Sequence, residues 1–236
     1  DIVRFTGTLN AAYDDAVRRV LRKKFEMGLF DDPYRFSDPA REKAVLNRPE
    51  HRRAARDMAA KSIVLLKNET GLLPLSRDTK TVAFIGPLVM ADKDNHGGWS
   101  VTLPGLDYTK FIVTQWAGMR DRLSPGSRLL YAKGCDIEGQ RRDGFAQAVA
   151  AARQADVVVV SVGEREGMSG EAKSRAHIGL PGVQEELIKA LHATGKPLVV
   201  LINTGRPLVF NWTAEHAPAI VLTWWLGSEA GNAIAD

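Results

Sequence analysis

The chain has 236 residues, 44% of them hydrophobic and 25% charged, so it can bury a substantial core without disulfides or metals. A single cysteine, Cys135, excludes an intrachain disulfide and fits a cytoplasmic or a periplasmic protein equally well. The formal charge is +4, but the basic residues alternate with acids and are not interleaved with aromatic residues, which argues against a nucleic-acid partner. No apolar run is long enough to span a membrane, and no signal peptide opens the chain.

The first 60 residues predict two helices joined by an irregular segment. Apolar residues recur at helical spacing over 10–27, and Gly28 follows as a C-cap. Prolines and aspartates interrupt residues 29–48, which predicts a linker, and a second helix is expected over 49–61. Because the chain starts and stops abruptly beside predicted elements, we expect it to be part of a longer polypeptide.

From residue 62 onward, short apolar segments alternate with helical patterns. Residues 157–160, four consecutive valines, are apolar on both faces, as expected for a buried parallel strand. This alternation predicts an α/β fold with a mainly parallel sheet flanked by helices, an α/β sandwich. The predicted strands are 62–66, 81–85, 128–132, 157–162, 198–202 and 219–224, and the predicted helices are 108–123, 143–154 and 181–194.

Ligands of such sheets bind beyond the carboxyl ends of the strands, so the loops after Ile85, Val162 and Ile202 are the places to look for function. The loop over 163–175 contains three acids and three bases. One of its carboxyl groups could serve as a general acid if its surroundings raise its pKa. The alternative interpretation is an exposed surface loop with mutually compensating charges.

The loop after Ile85 contains the sequence GGWS at 97–100. Two glycines allow a tight bend that would push the indole of Trp99 outward, and flat aromatic faces stack on sugar rings. The alternative is a core tryptophan that follows a turn.

Other chemistries lack their motifs. The sequence has no glycine-rich dinucleotide loop, no Walker A pattern and no nucleophile elbow, and its five histidines show no metal-ligand spacing. We therefore expect no cofactor and no metal, and a flavodoxin-like nucleotide-binding or signalling domain would need a phosphate loop that the sequence does not contain.

A series of segments, in chain order, carries a family resemblance. They are VLRKKFEMGLFDDPY at 20–34, SIVLLKNE at 62–69, LLPL at 72–75, GGWS at 97–100, SGE at 169–171, NTGRPL at 203–208 and WLGSEAGNAIAD at 225–236. Together they resemble the family 3 glycoside hydrolases, in particular the bacterial periplasmic β-glucosidases, over essentially the whole chain. Each motif is weak by itself, and the ordered set is specific.

The resemblance implies a glycosidase that hydrolyses terminal non-reducing β-D-glucosyl residues with retention of configuration. It implies that residues 1–28 end a TIM-type barrel, that 29–60 form a linker and a helix, and that 61–236 form the α/β sandwich. The nucleophile would be an aspartate of the barrel, outside this chain, so we expect the chain alone to be inactive. The relatives also imply a periplasmic or secreted location and a β-glucoside or oligosaccharide substrate, and a homodimer is the expected assembly if the chain associates.

Residue by residue, Glu171 matches the acid/base glutamate of the family, and Trp99 matches the tryptophan that clamps the sugar on the leaving-group side. Glu164 and Glu166 are second choices for the acid, since this loop varies in length. Retention requires two carboxyl groups about 5–5.5 Å apart, one attacking the anomeric carbon and one protonating the departing oxygen. A non-catalytic carbohydrate-binding module with the same fold is the alternative, although it would leave the acid-rich loop unexplained.

Overall fold

The computed structural model describes residues 2–69, 71–100, 105 and 107–236, and the side chains from residue 10 onward within them. Asp1, where the predicted barrel segment starts, lies outside this description. The chain divides into two compact units, one up to Arg48 and one over Pro49–Asp236. The division into 1–28, 29–60 and 61–236 stays a prediction.

The first unit contains two helices, α1 (Ile2–Glu26) and α2 (Pro39–Val45). Two lysines lie in the last turn of α1, where their positive charges interact favourably with the negative end of the helix dipole. Gly28, with φ of 67°, follows α1 as the sequence predicts. Helix α2 lies within the segment predicted to be irregular. Its proline starts the helix instead of breaking it, and the Asp38 carboxylate accepts a hydrogen bond from the amide of Arg41 at 2.9 Å.

The second unit begins with helix α3 (Pro49–Ser62) and contains a six-stranded sheet in the order β1-β6-β5-β4-β2-β3. All strand pairs are parallel except β1 with β6, which is antiparallel. The mainly parallel α/β sandwich predicted from the sequence is confirmed. The strands are β1 (Val64–Asn68), β2 (Thr81–Ile85), β3 (Arg128–Ala132), β4 (Val157–Gly163), β5 (Leu198–Asn203) and β6 (Ala219–Leu222).

The remaining helices lie between these strands or, for α9 (Ala230–Ala235), after the last of them. The predicted helix over 108–123 is instead a short 3-10 helix followed by a separate α-helix, because the Thr114 hydroxyl caps the amide of Ala117 at 3.2 Å and so starts a new helix. The helices are α4 (Lys93–His96), α5 (Gln115–Arg122), α6 (Phe145–Arg153), α7 (Gln184–His192), α8 (Asn211–His216) and α9 (Ala230–Ala235), with 3-10 helices at Tyr108–Phe111, Glu166–Met168 and Gly227–Glu229.

The sheet is buried on both faces. On strand β2, Ala83 and Ile85 belong to the core on the side of α6 and α7, whereas Val82 and Phe84 belong to the core on the opposite side. Every residue of β2, β4 and β5 is buried, which explains why their sequences are mostly apolar. None of the described helices combines the length and the apolar character needed to cross a membrane.

Candidate active site

The loops that follow β2, β4, β5 and β6 meet at one edge of the sheet, because these neighbouring strands run parallel. An open cleft of about 600 Å³ lies at this edge. The residues of these loops that line it include His96, Gly97, Trp99, Ser100, Thr204, Gly205, Trp224 and Trp225. The cleft therefore occupies the position at which parallel sheets bind their ligands.

Trp99 lies on the surface of this cleft and is not a core tryptophan, since 74% of its surface is exposed. A methyl carbon placed on Gly170 would lie 3.7 Å from the indole, so the ring lies beside the residue that precedes Glu171. The structure thus places the turn that carries Glu171 beside the indole, although Glu171 itself is not among the residues that line the cleft. Trp99 and Glu171 come from different loops, 72 positions apart in the chain by subtraction of their numbers.

The two loops also pack directly on each other. The amide of Glu166 donates a hydrogen bond of 3.0 Å to the Asp94 carboxylate of α4, and a methyl carbon on Gly98 would lie only 2.9 Å from the Glu166 carbonyl. Contact this close leaves no room for a side chain at position 98. The segment that carries Trp99 and the loop that carries Glu171 therefore form one packed unit.

Trp225 lines the cleft and lies against both loops that border it. Methyl carbons built on Gly97 and on Gly205 would lie 2.7 and 2.6 Å from its side chain. Both glycines are required because the backbone of two loops approaches the same indole. Trp225 fixes the separation of the two loops that border the cleft.

Glu171 is exposed, and its carboxyl group is accessible to a ligand. It occupies a tight turn in which the Lys173 amide donates to the Gly170 carbonyl at 3.2 Å. Gly170 has φ of 133° and Ala172 has φ of 58°, so both neighbours of Glu171 adopt backbone conformations that L side chains disfavour. The exposed Glu171 therefore lies in a turn whose backbone is constrained on both sides.

Glu164, one of the second choices, is fully buried and is shut off from the cleft. Its Oε1 lies 2.6 Å from Nη1 of Arg175 and 3.3 Å from Nε of Arg206, and its Oε2 accepts a hydrogen bond of 2.8 Å from the hydroxyl of Thr204. A buried carboxylate with these partners holds structure together and cannot reach a ligand.

Glu166, the other second choice, is partly buried. Its burial raises the pKa of its carboxyl group, and the nearby carboxylates of Asp94 and Asp92 raise it further, against the opposing effect of Lys93. Glu166 and Glu171 therefore differ in environment, although both lie on the loop after β4.

The raised pKa of Glu166 predicts a pH-dependent effect on stability. The pKa of this carboxyl group is near 4.5 in the unfolded chain and higher in the folded protein. Its contribution to folding stability is therefore fully present below pH 4.5 and is lost as the pH rises through the pKa of the folded state. Replacing Glu166 by Gln removes this loss. We expect the melting temperature of Glu166→Gln, relative to that of the original chain, to increase between pH 4 and pH 7. A difference that stays constant across this range would contradict the prediction.

No group of three or more metal-ligating side chains occurs within the described residues. Cys135 is buried, and its burial raises the pKa of the thiol to about 11, which keeps it protonated at neutral pH. The chemistry that this edge can support is that of carboxyl groups beside an aromatic surface.

The residues that the sequence did not reveal are Thr204, Arg175 and Arg206. The motif at 203–208 marked the resemblance, but no spacing within it indicates that Arg206 reaches back to Glu164. That contact depends on β5 lying beside β4, which the order of the sheet establishes.

Comparison with known proteins identifies the family. The model of the glycosyl hydrolase family 3 C-terminal domain matches residues 63–236. The chain belongs to glycoside hydrolase family 3. The family 3 match begins directly after α3, spans all six strands of the sheet, and includes both Trp99 and Glu171.

Individual relatives agree with this family. The chain is 41% identical to a periplasmic beta-glucosidase of Salmonella typhimurium over 96% of its own length and 32% of the relative's, and 38% identical to a beta-xylosidase of Formosa agariphila over 94% and 31%. The crystal structure of a beta-glucosidase from Listeria innocua in complex with isofagomine superposes with a TM-score of 0.83 at 35% identity, covering 94% of this chain and 30% of that one. The family 3 segment described here thus spans about a third of the length of these relatives.

Proposed function

We propose that this chain is the acid/base-bearing part of a retaining family 3 β-glucosidase, which releases terminal non-reducing β-D-glucosyl residues. The observation that carries the proposal is that the turn bearing the exposed Glu171 lies beside the exposed indole of Trp99, at the carboxyl edge of the sheet.

In the proposed mechanism Glu171 donates a proton to the glycosidic oxygen as the bond to the leaving group breaks. It then acts as a base, removing a proton from the water that hydrolyses the glycosyl-enzyme intermediate. The nucleophile is an aspartate from the remaining part of the polypeptide, about 5–5.5 Å from Glu171 when the site is assembled. Trp99 stacks on the leaving-group sugar, whose C–H groups face the electron-rich ring.

The preference for glucosides is supported by the beta-glucosidase names of two of the relatives above, whereas the other is a beta-xylosidase. The test compares kcat/KM of the complete protein for 4-nitrophenyl β-D-glucopyranoside and for the corresponding β-D-xylopyranoside. We expect the glucoside to be preferred by about 10-fold or more. Xylose lacks the hydroxymethyl group of glucose, and a group of that size in a fitted pocket contributes about this much discrimination.

A preference for the xyloside would overturn the choice of sugar, and binding of cellobiose without hydrolysis of any glycoside would favour the carbohydrate-binding alternative.

In the same proposal the 236-residue chain alone has no turnover, because it supplies one of the two required carboxyl groups. A fluorogenic β-glucoside assay of the isolated chain tests this directly. A periplasmic or secreted location is proposed from the relative in Salmonella typhimurium.

Trp99→Ala is expected to raise KM for cellobiose by about 2- to 10-fold, because an aromatic contact contributes about 0.5–1.5 kcal/mol beyond its burial. Trp99→Phe retains a flat ring and should recover most of the loss. Glucosyl fluoride is the internal control, since its leaving group has no ring for Trp99 to contact. Equal effects of Trp99→Ala on cellobiose and on the fluoride would contradict a role on the leaving-group side.

A further inference from the structure

The loop that carries Glu171 is held by a buried ionic cluster, which we define as Glu164, Arg175, Thr204 and Arg206. Glu164 is fully buried, and the side chains of both arginines are only 18% exposed. Glu164 opens the loop at the end of β4, Arg175 lies at its far end, and the other two residues follow β5. The cluster therefore connects both ends of the loop to the neighbouring strand.

Arg206 makes the contacts that lie nearest to Glu171. Its Nη2 donates to the carbonyl of Met168 and, at 2.7 Å, to the carbonyl of Lys173. These two carbonyls come three residues before and two residues after Glu171. One planar guanidinium group thus holds the backbone on both sides of the turn, while its Nε lies 3.3 Å from the Glu164 carboxylate.

The rest of the cluster orients this guanidinium group. The Thr204 hydroxyl donates to Glu164 at 2.8 Å and accepts from the amide of Arg206 at 3.1 Å. Arg175 donates to Glu164 at 2.6 Å and to the carbonyl of Gly179 at 3.2 Å. Because Ala172 has φ of 58°, the turn needs external contacts to hold its conformation, and Arg206 supplies them.

We propose that Arg206, oriented by Glu164, is a positioning residue that fixes the acid/base carboxyl group of Glu171 relative to the glycosidic oxygen. The inference rests on the proposed function, because it assigns Arg206 a task only if Glu171 transfers the proton. Displacement of a reacting group by about 1 Å can cost on the order of 100-fold in rate. Arg206 acts through the backbone of the turn and does not itself contact the substrate.

The test uses Arg206→Lys in the complete protein, because lysine keeps the positive charge beside Glu164 but its ammonium ends about one bond short of the Nη2 atom that donates to both carbonyls. We expect kcat/KM for cellobiose to fall by about 10- to 100-fold. For 2,4-dinitrophenyl β-D-glucoside, whose leaving group departs without a proton, kcat/KM should change by less than about 3-fold. A purely structural loss would lower both values equally.

A double variant separates positioning from an independent role. If Arg206 acts only through Glu171, adding Arg206→Lys to Glu171→Gln should cause no further loss with cellobiose, whereas independent effects would multiply. Arg142→Lys is the matched control, since Arg142 also contacts a carboxylate, Glu186 at 2.6 Å, and a backbone carbonyl, but lies outside the loop. This control should leave both substrates unaffected.

Equal losses on both substrates, or multiplying losses in the double variant, would overturn the positioning role while leaving Glu171 as the acid. If Glu171→Gln itself shows no dependence on the leaving group, the proposed function fails and the inference fails with it. If Arg206→Lys does not fold, Thr204→Val, which removes one hydroxyl at nearly constant volume, should still lower kcat/KM selectively for cellobiose, by about 3- to 10-fold. A Thr204→Val protein with unchanged selectivity would then overturn the proposal.

Discussion

Glu171→Gln in the complete protein is expected to lower kcat/KM for cellobiose by about 10²–10⁴-fold, the usual contribution of a positioned general acid. Glutamine keeps the size of the side chain but has no proton of suitable acidity for the departing oxygen. For 2,4-dinitrophenyl β-D-glucoside the first chemical step should proceed almost unimpaired, and the second step should become rate-limiting because the base is missing. Steady-state and burst kinetics with both substrates measure the two effects.

Glu166→Gln is the matched control for this experiment, because Glu166 lies on the same loop, five positions before Glu171 by subtraction of their numbers, and is partly buried. We expect it to leave the ratio of the two kcat/KM values within about 3-fold of the original. Azide should accelerate the second step of Glu171→Gln by replacing the water that has lost its base. Leaving-group dependence in Glu166→Gln and not in Glu171→Gln would transfer the acid/base role to Glu166.

Glu164→Ala is expected to lower the free energy of unfolding by about 3–5 kcal/mol, because it leaves two buried guanidinium groups without their carboxylate. Glu164 is fully buried, and it contacts Arg175 at 2.6 Å and Arg206 at 3.3 Å. Urea unfolding of the 236-residue chain, followed by tryptophan fluorescence, measures the change.

Glu138→Ala provides the comparison for this loss. Glu138 forms an ion pair of similar length, 2.7 Å, with Arg165 of the same loop, but both side chains are about half exposed, at 52% and 50%. Exposed pairs contribute about 1 kcal/mol or less, so Glu138→Ala should have little effect. Similar losses in the two variants would mean that burial does not distinguish the two pairs.

The sheet could be predicted because its signal is local. Residues 157–160 and 198–202 are apolar without interruption, and such runs occur where a strand is covered on both faces. Helix α2 and the break after Tyr108–Phe111 were missed for a physical reason. Proline and threonine either interrupt a helix or start one, and the pattern alone does not say which.

The candidate site divides in the same way. Its location at the carboxyl edge follows from the strand–helix alternation, which also drew attention to Trp99 and to the acid-rich loop. The choice of Glu171 within that loop came from the family resemblance, and the roles of both residues stay a proposal. The contacts of Arg206 with Met168 and Lys173 could not be predicted, because they join residues more than 30 positions apart through neighbouring strands β4 and β5. The sequence does not fix which strands become neighbours.

The indole of Trp225, wedged between Gly97 and Gly205, has a practical consequence for engineering. Any randomised library aimed at new aglycone selectivity should leave positions 97 and 205 untouched, since every side chain larger than hydrogen would collide with that ring. Position 99 is the better one to randomise, because replacing the exposed Trp99 changes the surface of the cleft and leaves Trp225 in place.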